Sequence, residues 1–358
     1  MSHSHSILRF IPDVFVKDMP IHLTLFLTRR CNAACPFCFY SAGSASEAPE
    51  LTIDEIRDIA GSMGPLLWVA LSGGEIYLRD DLPTICEMFS TYNEASIILL
   101  PTNGLMPDRI KSLTSKALQR CPKSIITVKV SIDGPAATHD RLRAVPGAFD
   151  KAMSTLKALS PLLREYPNFE LGVNTVFCAD NQHEMDATID LVSRLPMVHT
   201  HTISLVRGEP RSPGQLDVDM SLYEAAIERL ASAHRDRSYR FFGARIKAAQ
   251  DMLQRQLIHA TATTGKRQLE CFAGRLNLVI TETGDLYPCE TFQPEFLMGN
   301  IRDFECDVLE AAATLRAEEI IKRISRECFC THECYMMTNI LFNPKLYPKL
   351  IKTMLLGR

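Results

Sequence analysis

The sequence lacks the features that would assign it to a membrane, to export or to nucleic acid. No apolar run reaches the roughly 20 residues that span a bilayer. The N-terminus, 1–8, has neither a basic region nor an apolar region, so it is not a signal peptide. A net charge of −3, with 23% charged residues, gives no electrostatic reason to expect a nucleic-acid or membrane partner. These absences predict a cytoplasmic protein without a transmembrane segment.

Cysteine, in contrast, is plentiful, with 12 residues in a chain of 358. Cys31, Cys35 and Cys38 follow a strand-like run and share one short loop. Three thiolates on such a loop can ligate three irons of a cubane cluster and leave the fourth iron open. A closed zinc site needs four ligands, usually as two pairs, and no second pair lies near in the sequence. A disulfide is disfavoured because the local count is odd and nothing points to export.

The spacing Cys-x3-Cys-x2-Cys, with the aromatic Phe37 before the third cysteine, resembles the signature of the radical S-adenosylmethionine (SAM) enzymes. Further matches follow in order, so that the resemblance covers residues 20 to 335. It implies a [4Fe–4S] cluster on the three cysteines, which binds SAM through its open iron. One electron from a reducing partner such as flavodoxin or ferredoxin then releases a 5′-deoxyadenosyl radical, which takes hydrogen from the substrate.

The next matches follow two strand-like runs. Gly73, Gly74 and Glu75 come after the first run; glycines let backbone approach a ligand, and a carboxylate can face a cation. The resemblance assigns these three residues to the amino group of SAM, with Ile76 in place of the family's frequent proline. Thr102 and Asn103 lie in a turn signal after the second run; Asn103 is a further candidate cofactor contact, although for both residues such a turn serves equally well as a simple connection.

Two later strand ends supply the remaining cofactor candidates. Ser131 closes one strand-like run, and the resemblance places it with an arginine near the ribose or carboxylate of SAM. Arg141 and Arg143 both offer a bidentate fork for that carboxylate, and Arg143 is retained as the candidate. Asn174, near the end of the following strand, is expected to face the same side as the cluster. Asp133 and His139 are more simply explained as residues that tie the intervening loop.

The order of strands and helices predicts an α/β fold. Six strand-and-helix units favour a partial (β/α)6 barrel resembling the TIM barrel, with functional groups at the carboxyl ends of the strands. The predicted helices of these units are Thr52–Met63, Leu82–Tyr92, Pro107–Arg120, Ala148–Glu165 and Met185–Leu195. The predicted organisation is an N-terminal segment (1–20), a barrel core (21–208), a helical connection (209–265), a small cysteine-rich hairpin and helix extension (266–335) and a C-terminal helix (336–358).

The extension contains the second group of cysteines. Cys271 and Cys289 flank a predicted β-hairpin, and Cys328, Cys330 and Cys334 follow it. Four thiolates gathered in this way can hold one more cluster. The pattern resembles the shortened "twitch" form of the SPASM extension, which implies an auxiliary [4Fe–4S] cluster on Cys271, Cys289 and two of the later three. A zinc ribbon is the alternative.

The other cysteines and the tail have structural explanations. Cys306 is interpreted as structural, and Cys86, Cys121 and Cys178 as small buried hydrophobes. His332 is expected at the surface or behind the ligands. The apolar residues of the tail, 335–355, are expected to pack on the barrel, with an amphipathic membrane contact as the alternative.

The resemblance predicts a radical SAM enzyme of oxidoreductase type. We expect a small-molecule biosynthetic substrate that undergoes oxidation, epimerisation or a related rearrangement, because only about 20 residues precede the first strand. Modification of a ribosomally made peptide is the alternative, since a leader-binding module can be a separate protein. A non-catalytic iron–sulfur electron carrier is disfavoured, because it has no use for Glu75 and Ser131.

Overall fold

The computed structural model describes residues 5–40, 48–233 and 244–356, except for the side chains of Ala244, Cys334 and Leu356. Nine strands form one sheet in the order β6-β5-β4-β3-β2-β1-β7-β8-β9. The first six strands in the sequence are parallel neighbours. They are β1 His22–Phe26, β2 Trp68–Ser72, β3 Ile97–Thr102, β4 Ile125–Ser131, β5 Phe169–Phe177 and β6 Thr200–Leu205.

Side chains alternate along each strand between the hydrophobic core beneath the helices and the concave side of the sheet. In β4, Ile126, Val128 and Val130 are fully buried and join the main hydrophobic core, together with residues of the surrounding helices. Lys129 and Ser131 alternate with them and therefore face the concave side of the sheet. The apolar side thus fixes the register of the strands, and the polar side is left for a ligand.

Helices cover the outer face of the sheet and its open side. The first of them begins with a capping box, in which Thr52 and Glu55 exchange side-chain and backbone hydrogen bonds. The helices are α1 Ile53–Ser62, α2 Leu82–Tyr92, α3 Pro107–Arg120, α4 Ala136–Arg143, α5 Ala148–Leu159, α6 Leu162–Glu165, α7 Met185–Ser193, α8 Met220–Ala233, α9 Ala244–Thr264, α10 Val308–Ala312, α11 Leu315–Glu327, α12 Glu333–Leu341 and α13 Tyr347–Leu356.

The single C-terminal helix expected over 336–358 is divided into α12 and α13, and two helix predictions in the barrel were also wrong in detail. The continuous helix expected over Ala148–Glu165 is divided into α5 and α6 at Ser160 and Pro161, because proline lacks the amide that the helix would use. The loop expected after β4 instead forms α4 and ends at Ala144, which adopts a left-handed conformation at φ 53°. Helix α4 contains few large apolar residues, so hydrophobic periodicity did not indicate a helix there.

The C-terminal hairpin continues the barrel sheet. Its strands are β7 Asn277–Ile280 and β8 Asp285–Tyr287, followed by the short β9 Gly299–Asn300. β7 pairs in parallel with β1, and β8 pairs antiparallel with β7. The hairpin itself was predicted, but its union with β1 was not. This union fixes the extension against the strand that leads into the first cysteine loop.

The open side of the sheet is filled by helices. Within the described residues, β6 and β9 are the two edges of the sheet, so it remains a partial barrel, as predicted. A second hydrophobic cluster joins α8 and α9 to residues of the tail, including Met336, Ile340 and Leu350. The prediction that the tail packs on the barrel is confirmed. No helix in the described ranges combines the length and apolar character needed to cross a membrane.

Candidate functional site

The first candidate site is the loop after β1, which carries three cysteines. Cys35 is buried, Cys38 is half-buried and Cys31 is exposed. The chain turns tightly here, and the Cys38 amide donates to the Cys35 carbonyl at 3.2 Å. Burial raises the pKa of Cys35, and the neighbouring thiolates of Cys31 and Cys38 raise it further. The three thiols are therefore close enough to interact electrostatically, and the loop is open on the side of Cys31.

Two side chains from outside the loop donate toward these thiols. Arg143 directs Nη1 at Cys35 Sγ over 3.7 Å, and Asn103 directs Nδ2 at Cys31 Sγ over 3.8 Å. The ring of Phe37 lies 5.3 Å from the guanidinium carbon of Arg143. Hydrogen bonds and positive charge of this kind favour the thiolate, which is the form that binds a metal.

The structure separates the two arginine candidates. Arg143 Nε and Nη2 lie 2.7 and 2.5 Å from Asp133 Oδ2, so the guanidinium is fixed beside the cysteine loop. Arg141 instead donates to the carbonyl of Asp180, away from the cysteines. The Asp133 amide donates to His139 Nδ1 at 3.0 Å. Asp133 and His139 therefore tie the loop together, as predicted.

Gly73 and Gly74 bring the end of β2 against the cysteine loop. A Cβ on Gly73 would lie 2.4 Å from the Thr28 carbonyl oxygen, and a Cβ on Gly74 would lie 2.2 Å from that of Arg30. Neither distance is possible for a real side chain. The adjacent amides hold the contact, since Gly74 donates to Thr28 and Glu75 donates to Arg30 at 2.7 and 2.9 Å. The close approach made by these glycines is thus to the chain's own backbone, and their contact with a ligand stays a prediction.

Glu75 is a buried carboxylate, 1% exposed, next to the first cysteine loop. Thr102 Oγ1 donates to both of its oxygens at 3.0 Å, and the amides of Asn103 and Tyr77 donate at 2.8 and 3.2 Å. No described lysine, arginine or histidine lies within ion-pair distance of the Glu75 carboxylate. Burial raises the pKa of Glu75 to about 7 despite these donors. The Glu75 carboxylate therefore has several hydrogen-bond donors but no counter-ion among the described residues.

Thr102 is the residue of this pocket that the sequence did not settle. Turn chemistry alone left it equally suited to a connection. The structure gives it a definite contact, because its hydroxyl orients the Glu75 carboxylate. A threonine at a strand end directly before Asn103 and Gly104 was the available signal.

Ser131 and Asn174 meet at the carboxyl ends of β4 and β5. They are directly opposite partners in the parallel ladder, and both remain half-buried. Asn174 Oδ1 accepts from Ser204 Oγ at 3.0 Å, and Ser204 also donates to Glu333 Oε2 at 2.7 Å. Glu333, on α12, was not predicted. This chain of contacts connects the cofactor candidates with the start of the helix that follows the last cysteines.

The second candidate site gathers cysteines from distant parts of the sequence. Burial raises the pKa of Cys289, as do the nearby thiolates of Cys330 and Cys271. Burial likewise raises the pKa of Cys330 to about 12, with Cys271 and Cys328 as further causes. Cys271, Cys328 and Cys330 also line one small cavity. Four of the five predicted thiols are therefore neighbours; the side chain of Cys334 lies outside the described residues.

Arg267 anchors the segment that carries two of these cysteines. Its guanidinium donates to the carbonyl of Cys328 at 2.8 Å and also contacts the carbonyls of Ile324 and Ser325. His332 is buried, so of its two expected positions the surface is excluded and a position behind the ligands is the one that agrees with the structure. Neither of its ring nitrogens has a hydrogen-bond partner among the described residues.

The remaining cysteines are packing residues, and one of them, Cys178, shares a hydrophobic cluster with Cys35 and Phe37 of the first loop. Cys86, Cys121 and Cys178 are fully buried, and Cys306 is 5% exposed within the main core. Their predicted roles as packing residues are confirmed. Within the described ranges, no three histidine, cysteine, aspartate or glutamate side chains converge on the position of one metal ion.

Comparison with known proteins identifies both regions. The sequence model of the radical SAM superfamily matches residues 25–192, and that of an iron–sulfur cluster-binding domain, SPASM, matches residues 271–335. The chain belongs to the radical SAM superfamily. Its C-terminal region is a SPASM-type domain, which favours iron–sulfur over zinc. The family and this domain imply a SAM-binding [4Fe–4S] cluster, SAM and an auxiliary [4Fe–4S] cluster, as predicted.

The chain resembles two kinds of characterised relative. It is 31% identical over 200 residues to the AdoMet-dependent heme synthase of Methanosarcina barkeri, a match that covers 54% of this chain and 53% of the relative. It is 25% identical over 291 residues to the mycofactocin maturase MftC of Mycolicibacterium smegmatis, covering 79% and 68%. The chain thus spans about half the length of the heme synthase.

Solved structures support the same fold. The protein anSMEcpe with bound AdoMet aligns at a TM-score of 0.61 and 17% identity, covering 94% of this chain and 95% of that one. SuiB of Streptococcus suis, bound to its precursor peptide SuiA, aligns at a TM-score of 0.59 and 15% identity, covering 84% and 66%. At these identities the likeness concerns the fold alone.

The residues of this chain fit the cofactors that its family implies. Glu75 is a buried carboxylate without a cation, which suits the ammonium group of SAM. Cys31, Cys35 and Cys38 offer three thiols on one loop, which suits a four-iron cluster with one open iron.

Proposed function

We propose that this chain uses SAM and a cluster on Cys31, Cys35 and Cys38 to remove a hydrogen atom from a substrate held inside the barrel. The observation that carries the proposal is the pairing of that loop with Glu75, a buried acid that lacks a cation. An electron carrier has no use for such an acid. When bound, the cluster and SAM supply hydrogen-atom abstraction, and an auxiliary cluster supplies an electron acceptor.

The residues around the loop have separate tasks in this proposal. Glu75, held by Thr102 and the Asn103 amide, binds the amino group of SAM. Ser131 and Asn174, which face each other across β4 and β5, contact its ribose or carboxylate. Gly73 and Gly74 keep this pocket against the cysteine loop.

Arg143 and Phe37 form the floor of the first site. The Arg143 guanidinium already holds Asp133 and points at Cys35. Its proposed task is therefore to hold positive charge beside the cluster as well as near the SAM carboxylate. Phe37 packs beneath it and excludes water from that side.

The auxiliary cluster is proposed on Cys271, Cys289, Cys328 and Cys330, with Cys334 as the further candidate. Arg267 holds the Cys328 segment in place. In terms of segments, we propose that the barrel core comprises residues 21–208, preceded by 1–20. The helical connection comprises 209–265, the auxiliary domain 266–335 and the terminal helical segment 336–358. Flavodoxin or ferredoxin is the proposed reducing partner.

The proposed substrate is a small biosynthetic molecule, and oxidation, epimerisation or a related rearrangement is the proposed outcome. The heme synthase match supports a small molecule. Modification of a ribosomally made peptide is the second candidate, because the mycofactocin maturase match extends over more of the chain and because the subtilosin biosynthesis protein AlbA of Bacillus subtilis also matches 79% of it.

Anaerobic incubation with SAM and a strong reductant tests the proposal. We expect 5′-deoxyadenosine from the wild type and none after Cys31, Cys35 and Cys38 are changed together to alanine. Formation of S-adenosylhomocysteine and a methylated product without deoxyadenosine would contradict hydrogen abstraction. Deuterated candidate substrates then separate the two classes, since the true substrate passes deuterium to 5′-deoxyadenosine.

A further inference from the structure

The concave side of β4, β5 and β6 is polar and retains accessible surface. Thr200, Thr202 and Ser204 of β6 are half-buried, whereas the residues that alternate with them are buried. Lys129 and Ser131 of β4 show the same pattern. The polar side chains on this face therefore keep part of their surface accessible. Lys129 and Gly172 lie one layer further from the carboxyl ends of the strands than Ser131 and Asn174, the proposed SAM contacts.

The Lys129 side chain extends from β4 across β5 to β6. Its Nζ donates to Thr200 Oγ1 at 2.6 Å and to Thr202 Oγ1 at 3.0 Å, two strands away. Gly172, on the strand between them, makes the reach possible. A Cβ at that position would lie 2.9 Å from Lys129 Nζ and 2.5 Å from Thr200 Oγ1. Three neighbouring strands therefore build one cationic position.

The charged groups around Lys129 leave its ammonium without an ion pair. On α9, Lys247 and Asp251 pair with each other, and Arg255 adds a further positive charge. On β5, Glu170 lies 3.0 Å from His199 Nδ1. No described carboxylate comes within 4 Å of Lys129 Nζ. Burial is the largest cause that lowers the pKa of Lys129 to about 7, although the more distant charges of Asp251 and Glu170 act in the opposite direction.

We propose that Lys129, Thr200 and Thr202 bind a carboxylate group of the substrate inside the barrel. A carboxylate has the acceptors for an ammonium and two hydroxyl groups, and it supplies the negative charge that this position lacks. The assignment rests on the proposed function, because it takes the interior as the substrate site. It adds the substrate class, a carboxylic acid, which a free metabolite or a peptide equally provides.

The register of β4 and β5 sets the depth of the proposed carboxylate subsite relative to the proposed SAM contacts. Lys129 is opposite Gly172, and Ser131 is opposite Asn174, one layer nearer the carboxyl ends of the strands. Two strand residues correspond to roughly 7 Å. The carboxylate therefore anchors the deep end of the substrate, and the carbon that loses hydrogen lies above it, toward Ser131 and Asn174.

Ligand-observed NMR on the reconstituted full chain tests this subsite with matched probes. Butyrate and butyramide have nearly the same size and shape but differ in the charge and hydrogen-bonding capacity of the terminal group, and N-acetylglycylalanine with a free or amidated C-terminus provides the same contrast in a peptide. We expect at least one acid to bind about tenfold more tightly than its amide, because hydrogen bonds to charged groups are the stronger ones. The pair that shows the preference distinguishes a small acid from a peptide terminus.

The variant Lys129→Met should reduce that acid-to-amide ratio to about one, since methionine keeps much of the length without the charge. Lys151→Met, on the exposed face of α5, is the control and should keep the ratio. Equal binding of acid and amide to the wild type overturns the subsite, and so does a preference that survives in Lys129→Met. The wild-type comparison needs no variant, so instability of Lys129→Met does not rescue the proposal.

The two proposals fail separately. Absence of SAM cleavage by the wild type overturns the proposed function, whatever the acid probes show. Normal SAM cleavage together with equal binding of the acid and amide probes overturns only the carboxylate subsite.

Discussion

The two cysteine groups of this protein are assembled in different ways. Cys31, Cys35 and Cys38 lie on one loop, and their spacing is visible in the sequence. Cys271, Cys289 and the pair Cys328 and Cys330 come from three segments that the fold brings together. The first group has an exposed member and hydrogen-bond donors from Arg143 and Asn103, whereas the second consists of buried and half-buried thiols.

The first group is therefore suited to a cluster that meets a small molecule, and the second is suited to a cluster enclosed by the protein. The exposed Cys31 and the acid Glu75 leave room for a small molecule beside the first cluster. Burial raises the pKa of thiols in both groups, and in the second group it raises that of Cys330 to about 12, so a metal cluster there has to displace the protons against a larger cost. The local group is therefore expected to survive changes elsewhere in the fold better than the assembled group.

Loss of the local group should have the largest effect. Changing Cys31, Cys35 and Cys38 together to alanine is expected to lower the iron content from about eight atoms per chain to about four and to abolish SAM cleavage. Iron analysis and 5′-deoxyadenosine measurement check both effects. An unchanged iron content would contradict the assignment of this loop to a cluster.

Loss of the assembled group should separate turnover from SAM cleavage. Cys271→Ala or Cys289→Ala is expected to remove about four irons and to abolish substrate turnover, while SAM cleavage without turnover continues. Iron content and the two product measurements in the same samples check this. Stoichiometric zinc in protein isolated without oxygen would replace the auxiliary cluster in this account.

The contrast also explains what the sequence was able to predict. The first cysteine loop, Glu75 and Ser131 follow strand-like runs directly, so local pattern was sufficient to find them. The division of the helix at Pro161 was missed, although a proline inside a helical pattern was a local signal for it. These features depend on residues that are near one another in the chain.

Features that depend on distant residues were not visible. Nothing in the sequence of the hairpin shows that β7 pairs with β1, since many apolar strands would fit there equally well. Gly73 and Gly74 were read as room for a ligand, but their neighbours are the backbone oxygens of Thr28 and Arg30. Lys129 was not singled out in the sequence, because the role of a charged residue within a strand depends on Gly172 and Thr200 across the sheet.

A smaller effect is expected when Glu75 is changed within an intact first site. Glu75→Gln removes the charge proposed to bind the SAM ammonium and should weaken SAM binding about tenfold or more, with the cluster spectrum largely kept. Thr102→Val, which removes a donor to the same carboxylate, should weaken it less. Unchanged SAM affinity in Glu75→Gln would remove Glu75 from the proposed pocket.

The pH dependence of SAM binding follows from the same residue. Burial raises the pKa of Glu75 to about 7, above its ordinary value of 4.5. Ionisation therefore disfavours the cofactor-free fold as the pH rises toward 7, whereas SAM binding gains from it. The increase in melting temperature caused by SAM should grow between pH 6 and pH 8 in the wild type, and this growth should be absent in Glu75→Gln.

The smallest effect is expected at Cys306, which separates cysteines that bind clusters from cysteines that pack. Cys306 lies in the main core beside Arg302 and Glu55 rather than near either thiol group. Cys306→Ala should leave the iron content and SAM cleavage unchanged. It should lower the free energy of unfolding by about 1 kcal/mol, since it removes one small buried group. Denaturant unfolding checks the stability, and iron analysis of the same variant checks the cluster count. A loss of iron comparable with that in Cys289→Ala would mean that the assembled group extends to Cys306 and that burial alone does not distinguish the two kinds of cysteine.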